Sequence, residues 1–118
     1  DFPFTKSTGR DPSGFPIYNL EECGDGDVHL CEVMLGKGTV YEDGKFTEEE
    51  MYVTAGDYVL VTSGVADTIS EAACKSMEVV KQIEIPSAMI VRDDVGERLK
   101  DELPKLQKLG YCTDFRYE

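Results

Sequence analysis

Glu42-Asp43-Gly44-Lys45 stands between two strand-like stretches, and an Asp-Gly pair in that setting leaves the backbone few choices. Both central residues of a two-residue type I′ turn need positive φ, which glycine adopts freely and aspartate tolerates. A β-hairpin is therefore expected. Before the turn, Val28, Leu30, Val33 and Leu35 alternate with His29, Glu32 and Met34, apart from one slip near Cys31. That is the period of a half-buried strand, which Gly36 and Gly38 then interrupt. The partner strand should run from Lys45 or Phe46 toward Thr54, with Thr47-Glu48-Glu49-Glu50 as a loop or helical turn inside it.

Beyond the hairpin, Tyr58-Val59-Leu60-Val61 is the most apolar run and reads as a central strand within Asp57 to Thr62. Thr68-Ile69-Ser70-Glu71 fits a capping box, so a helix of about two turns is expected over Ile69 to Ser76. Met77, Val79, Lys81, Ile83 and Ile85 alternate with Glu78, Val80, Gln82 and Glu84, which predicts a strand over Met77 to Ile85. After a turn at Pro86-Ser87 come a short strand (Ala88 to Val91), a helix (Val95 to Leu109) and a last strand (Tyr111 to Tyr117). Asp93 or Asp94 should cap that helix and Gly110 should end it. Pro104 should kink or break it near Glu102, at about 3 kcal/mol.

The order βαββαβ defines the expected fold class: α+β, an antiparallel sheet with two helices on one face, the split βαβ or ferredoxin-like arrangement. A small β-barrel with a C-terminal helix is the competing architecture. Residues 28–118 form the single domain, and residues 1–27 an irregular arm. Pro3, Pro12 and Pro16 with Gly9, Gly14, Gly24 and Gly26 discourage regular structure there. Phe2, Phe4, Phe15, Ile17, Tyr18 and Leu20 nevertheless give the arm more apolar surface than a free linker tolerates. It should pack along its own domain or onto a neighbour; Phe2, Phe4, Phe15, Ile17 and Tyr18 are the candidate partner-binding residues.

Twenty-four acidic against twelve basic residues give a formal charge of -12, which repels nucleic-acid phosphates and anionic membranes and suits a basic protein partner. No run approaches the roughly 18 apolar residues of a transmembrane segment. Beginning at Asp1 without a charged-then-apolar leader, the chain reads as a processed or trimmed form, compatible with a secretory or organellar compartment. Four cysteines are present; in an oxidising compartment Cys23 would pair with Cys31 and Cys74 with Cys112, and in a reducing one all four would remain small hydrophobes.

No group of residues reaches a catalytic or cofactor signature, so no catalytic residue, metal or cofactor is expected. Asp43-Gly44-Lys45-Phe46-Thr47 with Glu50 matches part of a calcium loop, but Thr39 and Tyr41 stand where its first carboxylates belong. His29, the only histidine, has Cys31 and Cys23 near it, without the paired C-x-x-C spacing or a fourth ligand of a zinc site. The glycines beside lysine in Thr5 to Gly9 and Leu35 to Thr39 do not match a phosphate-binding loop. The acidic pairs lie on turns, where solvation opposes the raised pKa that general acid catalysis needs.

Gly56-Asp57-Tyr58-Val59 resembles the Gly-Asp turn before a strand in cupin barrels, whose metal-binding H-x-H pattern is absent here. Ala88 to Tyr117 resembles the strand-helix-Leu-Gly-strand pattern of small phycobilisome linker domains, a pattern shared by many split βαβ folds. The resemblance implies an accessory role in a larger assembly. Together these features predict a non-enzymatic interaction protein, an accessory subunit or secreted effector-like module docking through its aromatic arm and acidic surface. The competing class is a small-ligand-binding protein or enzyme. A concave pocket lined by Tyr41, Tyr52 and Tyr58 with one convergent polar group would mark it.

Overall fold

The computed structural model describes residues 11, 13–23, 27–86 and 90–118. A 3-10 turn, Leu20–Cys23, precedes strands β1 (Val28–Leu30), β2 (Val33–Glu42), β3 (Lys45–Thr54) and β4 (Leu60–Thr62), then helices α1 (Ile69–Gln82) and α2 (Leu99–Lys108). The class is α+β: two antiparallel two-stranded ladders and two helices, with no closed barrel among the described residues.

The Asp-Gly turn forms as its chemistry requires. Asp43 and Gly44 have φ of 50° and 75°, and β2 pairs with β3 from Val33 opposite Thr54 to Glu42 opposite Lys45. Glu48, Glu49 and Glu50 belong to β3, facing Thr39, Gly38 and Lys37, rather than to a loop. A two-residue turn keeps every flanking residue in register, and the exposed ladder leaves those carboxylates in water.

β1 leads into β2 through Cys31 and Glu32 alone, while β3 leads into β4 through residues 55–59. β1 pairs with β4 from Val28 opposite Thr62 to Leu30 opposite Leu60. The two ladders are thus successive parts of one antiparallel ribbon, broken where two residues face five. Backbone bonds hold the break: Cys31 N to Val59 O at 3.0 Å, Glu32 N to Tyr58 O at 2.9 Å and Ala55 N to Glu32 O at 2.8 Å. The slip near Cys31 marks this bulge, and it shortens the strand expected from Asp57 to Leu60–Thr62.

Residues 13–23 of the arm are built into the domain. Gly14 N donates to Thr54 O at 2.7 Å, Thr54 N to Phe15 O at 2.8 Å and Ile17 N to Tyr52 O at 3.0 Å, so the arm runs antiparallel beside β3 with Pro16 opposite Val53. A proline is tolerated in this outermost position because it owes no ladder donor. Tyr18 and Glu84 then exchange backbone bonds at 2.8 and 3.2 Å. The core gathers Ile17, Cys23, Val79 and Ile83, flanked by Leu20, Val28, Val33, Val59, Leu60 and Ile85. The arm therefore contributes Ile17, Leu20 and Cys23 to the interior.

Thr68 caps α1, its Oγ1 accepting from Glu71 N at 3.2 Å, but the helix runs on to Gln82, through the stretch whose alternation predicts a strand. Extending a nucleated helix costs less than starting a new element, and Ala73, Met77 and Val80 fit helical spacing as well as Met77, Val79 and Ile83 fit period two. α1 packs against β4 and the 3-10 turn. Gly64 permits the approach, since a Cβ there would strike Ala72 O and lie 2.8 Å from Ser76 N.

Gly96, at φ 91°, delays α2 until Leu99, with Arg98 rather than Asp93 or Asp94 at its N-cap. The helix continues through Pro104 unbroken. Its missing amide would have met the carbonyl of exposed Lys100, which water can satisfy. Gly110, at φ 87°, ends α2 in a Schellman motif, with Tyr111 N on Leu106 O at 3.1 Å and Gly110 N on Gln107 O at 3.0 Å. Residues 111–117 form no strand. Gln107 Nε2 donates to Cys112 O and Phe115 O at 3.1 and 2.8 Å, and the Arg116 and Tyr117 carbonyls accept from Ile69 N and Ser70 N at 3.0 and 2.8 Å. The tail thus supplies acceptors for the free amides that open α1. Of the short strand expected over Ala88 to Val91, Ala88 and Met89 lie outside the described residues, and Ile90 and Val91 belong to no strand.

Candidate functional site

A cleft of about 730 Å3 lies between α1 and the returning strand. One wall is the Tyr58–Thr62 stretch, the second is the α1 face carrying Ala73, Met77 and Val80, and Ile90, Val91 and Val95 form a third. Phe15, Thr54 and Gly56 close one end. Among its few hydroxyls, Thr62 and Ser76 share a hydrogen bond of 2.8 Å, which uses one of their two donors within the pair. Small-molecule sites commonly occupy about 300–1,000 Å3, mostly apolar with a few polar groups. Ile90, Val91 and Val95 are 47, 37 and 63% exposed, so the third wall keeps its apolar side chains open to water.

Charge enters at three lining residues, Asp57, Arg92 and Asp93. Arg92 Nε donates to Asp94 Oδ1 at 2.6 Å, and this bond holds the Asp94 carboxyl below its ordinary pKa and pushes the Arg92 guanidinium up. A smaller cavity of about 400 Å3 on the other side of α1 is polar, lined by Glu22, Asp27, Lys75 and Glu78 around Cys23, with Lys75 Nζ donating to Val65 O at 3.0 Å.

Of the candidate partner-binding residues, Phe2 and Phe4 lie outside the described residues. Ile17 is buried in the core at 2% exposure; Phe15 and Tyr18 are half-buried, Phe15 at the cleft and Tyr18 donating its hydroxyl to Thr39 O at 2.9 Å. Of the three tyrosines expected around a pocket, Tyr58 lines the cleft. Tyr52 pairs with Leu35 on the hairpin, and Tyr41 meets Phe46 with ring centroids 4.9 Å apart.

All four cysteines are free thiols, with neither expected bridge present. Cys23 turns its sulfur inward to Asn19 O at 3.4 Å, and burial, then Glu22 and Asp27, pushes its pKa up. Cys31, Cys74 and Cys112 are exposed. His29 Nε2 meets Ser63 Oγ at 3.0 Å, while Cys31 Sγ turns to His29 O at 3.7 Å. Among the described residues no group of three histidine, cysteine or acidic side chains is placed to hold a metal ion.

No protein-family model, curated protein or solved structure matches this chain. The cupin-like Gly56-Asp57 turn therefore stands as the bulge before β4, and the linker-like pattern after Ala88 lacks its last strand. The cleft residues missed in sequence, Ala73, Met77 and Val80, carried a usable signal: their three- and four-residue spacing places them on one helix face.

Proposed function

We propose that this chain binds a small, largely apolar molecule in the cleft between α1 and the Tyr58–Thr62 stretch. The observation that carries the reading is the cleft itself: about 730 Å3 with apolar side chains from a strand, a helix and the 90–95 segment. The hydrogen bond between Thr62 and Ser76 uses one of their two hydroxyl donors inside the wall, which lowers the number of hydrogen bonds to water that an entering apolar molecule displaces. The reading is one of binding, carried by the shape and apolar lining of the cleft.

A titration with the neutral fluorescent probe N-phenylnaphthylamine tests it. Saturable binding should fall at least about tenfold in Val80→Asp, which places a charge on the cleft wall. Val91→Asp, on the exposed segment, makes the same test without touching a helix. Binding unaffected by both substitutions overturns the proposal.

A second reading, docking onto a protein partner, is favoured by the hairpin. Leu35 opposite Tyr52 and Tyr41 opposite Phe46 share one face of the β2–β3 ladder, all four at least 46% exposed. Apolar pairs in water mark interaction surfaces. On this reading the acidic chain takes a basic partner, and Phe46→Ser weakens that association without changing probe binding in the cleft.

A further inference from the structure

We propose that the free edge of β2 pairs with the β2 edge of a second copy of this chain, antiparallel and centred on Gly38, to give a two-fold dimer. The proposal concerns the hairpin and stands apart from the cleft. Among the described residues no segment pairs with the edge of β2 that faces away from β3. On the far side of β3, Tyr52 O accepts from Ile17 N and Thr54 N donates to Phe15 O, so the backbone groups of Tyr52 and Thr54 point away from β2. Opposite residues of an antiparallel ladder either exchange both bonds or turn both away, in alternation. Leu35 and Val33, their partners, therefore turn outward, and Lys37, Thr39 and Tyr41 with them. A strand of 10 residues thus presents a row of amides and carbonyls to water, a template for strand addition. Thr39 O also accepts the Tyr18 hydroxyl at 2.9 Å, which leaves its second lone pair for a ladder bond.

A second copy fits this edge because β2 complements itself in one register. Since only odd-numbered residues turn outward, the registers that keep most of the strand are centred on Lys37, Gly38 or Thr39. Centring on Lys37 sets two ammonium groups opposite each other, and centring on Thr39 sets Leu35 opposite Asp43 of the turn. Centring on Gly38 sets Leu35 opposite Tyr41 of the second copy, twice by symmetry, and no two like charges face each other across the seam. Tyr52 and Leu35 then continue into Tyr41 and Phe46 of the second copy as one apolar row on the exposed face. Leu35, Tyr41 and Phe46 are 62, 63 and 76% exposed in the single chain, so the pairing joins side chains that stand in water. On the opposite face a Cβ at Gly38 would lie 3.0 Å from Pro16 Cβ, so two glycines at the axis leave room for both arms. The acidic net charge opposes association at long range, but β2 carries only Lys37 and Glu42, and repulsion between distant groups is screened beyond about 8 Å at physiological salt. The outer edge of β3 is held by the arm at Tyr52 and Thr54, and Glu48, Glu49 and Glu50 before it oppose self-pairing, so the assembly closes at two copies.

Sedimentation equilibrium and amide hydrogen exchange on the intact chain test the proposal. The mass should rise with concentration from one chain to two and no further. In the dimer the amides of Leu35, Lys37, Thr39 and Tyr41 should exchange at least about tenfold more slowly than in dilute protein, whereas those of Gly36, Gly38 and Val40, already bonded to β3, should change little. Thr39→Pro removes one outward donor and no bond to β3, and Leu35→Glu places a carboxylate in the apolar row at an exposed position. Each should weaken the dimer at least about tenfold, with the circular dichroism of the intact chain retained. Should Thr39→Pro disturb the hairpin, Leu35→Glu decides alone. A chain that stays at one mass up to about 1 mM overturns the proposal and leaves the edge to an extended segment of another protein. A dimer unaffected by both substitutions, or one in which the outward amides exchange as fast as in dilute protein, overturns it as well.

Discussion

Glu32 Oε2 accepts the Tyr58 amide at 2.7 Å across the point where the antiparallel ribbon breaks. The backbone of Glu32 makes two further bonds there, its amide to Tyr58 O at 2.9 Å and its carbonyl from Ala55 N at 2.8 Å. One residue of the shorter strand thereby fixes both ends of the longer excursion, and with it Asp57 and Tyr58 at the cleft. Gly56 lies under the carboxylate, where a Cβ would come within 2.6 Å of Glu32 Cδ.

Glu32→Ala should therefore cost about 1 kcal/mol of stability and weaken probe binding in the cleft. Gly56→Ala should reproduce part of both effects, because the flexible carboxylate can move away only by giving up the Tyr58 amide. Urea denaturation of the two single variants and the double variant provides the cycle. A double variant less destabilised than the sum of the singles is expected; strict additivity would mean that Glu32 and Gly56 act separately.

The arm is a stability element over residues 13–23. Ile17→Ala removes a side chain that is 2% exposed and should destabilise by about 2–5 kcal/mol, a large share of the 5–15 kcal/mol typical of a small domain. Truncation through Leu20 should be worse, exposing the apolar core that these residues cover. Thermal unfolding checks both; a truncated chain that melts like the intact one would contradict the packing of Ile17 and Leu20.

On α2 the buried position is Leu103, at 5% exposure, while Leu99 is half-buried and Lys100 exposed. Leu103→Ala should cost about 2–5 kcal/mol, Leu99→Ala less and Lys100→Ala within about 0.5 kcal/mol. Equal losses at Leu103 and Lys100 in chemical denaturation would reverse the assigned face.

Thiol chemistry separates Cys23 from the others. Alkylation requires the thiolate, and burial both shields Cys23 and raises its pKa, so Cys31, Cys74 and Cys112 should react with iodoacetamide first. Mass spectrometry of the native chain at mildly alkaline pH should show three fast additions and one slow one, the slow one accelerating as pH rises. Four additions at one rate would contradict the burial of Cys23.

Local rules made much of the fold legible. Asp43-Gly44 dictates its turn, Thr68 opens α1 and Gly110 closes α2, because each depends on a few neighbouring residues. The Met77–Gln82 run is ambiguous by pattern, since its apolar residues satisfy both the strand and the helix period; the cap at Thr68, nine residues before Met77, decides it. The cleft was hidden for that reason. Its helical wall exists only if that run is a helix, and Phe15 reaches it only because the arm pairs with β3, a contact between residues 39 apart. Tyr41 and Tyr52 misled because aromatic residues that alternate along a hairpin can face either side.

The most direct test of the ligand-binding account is a nitrogen-proton correlation titration of the intact chain with decanol. The account predicts saturable shifts concentrated at residues 58–62, 73–83 and 90–95, the three walls of the cleft. Shifts confined to the hairpin face around Leu35, Tyr41, Phe46 and Tyr52, or no saturable shift at any concentration below solubility, would contradict it.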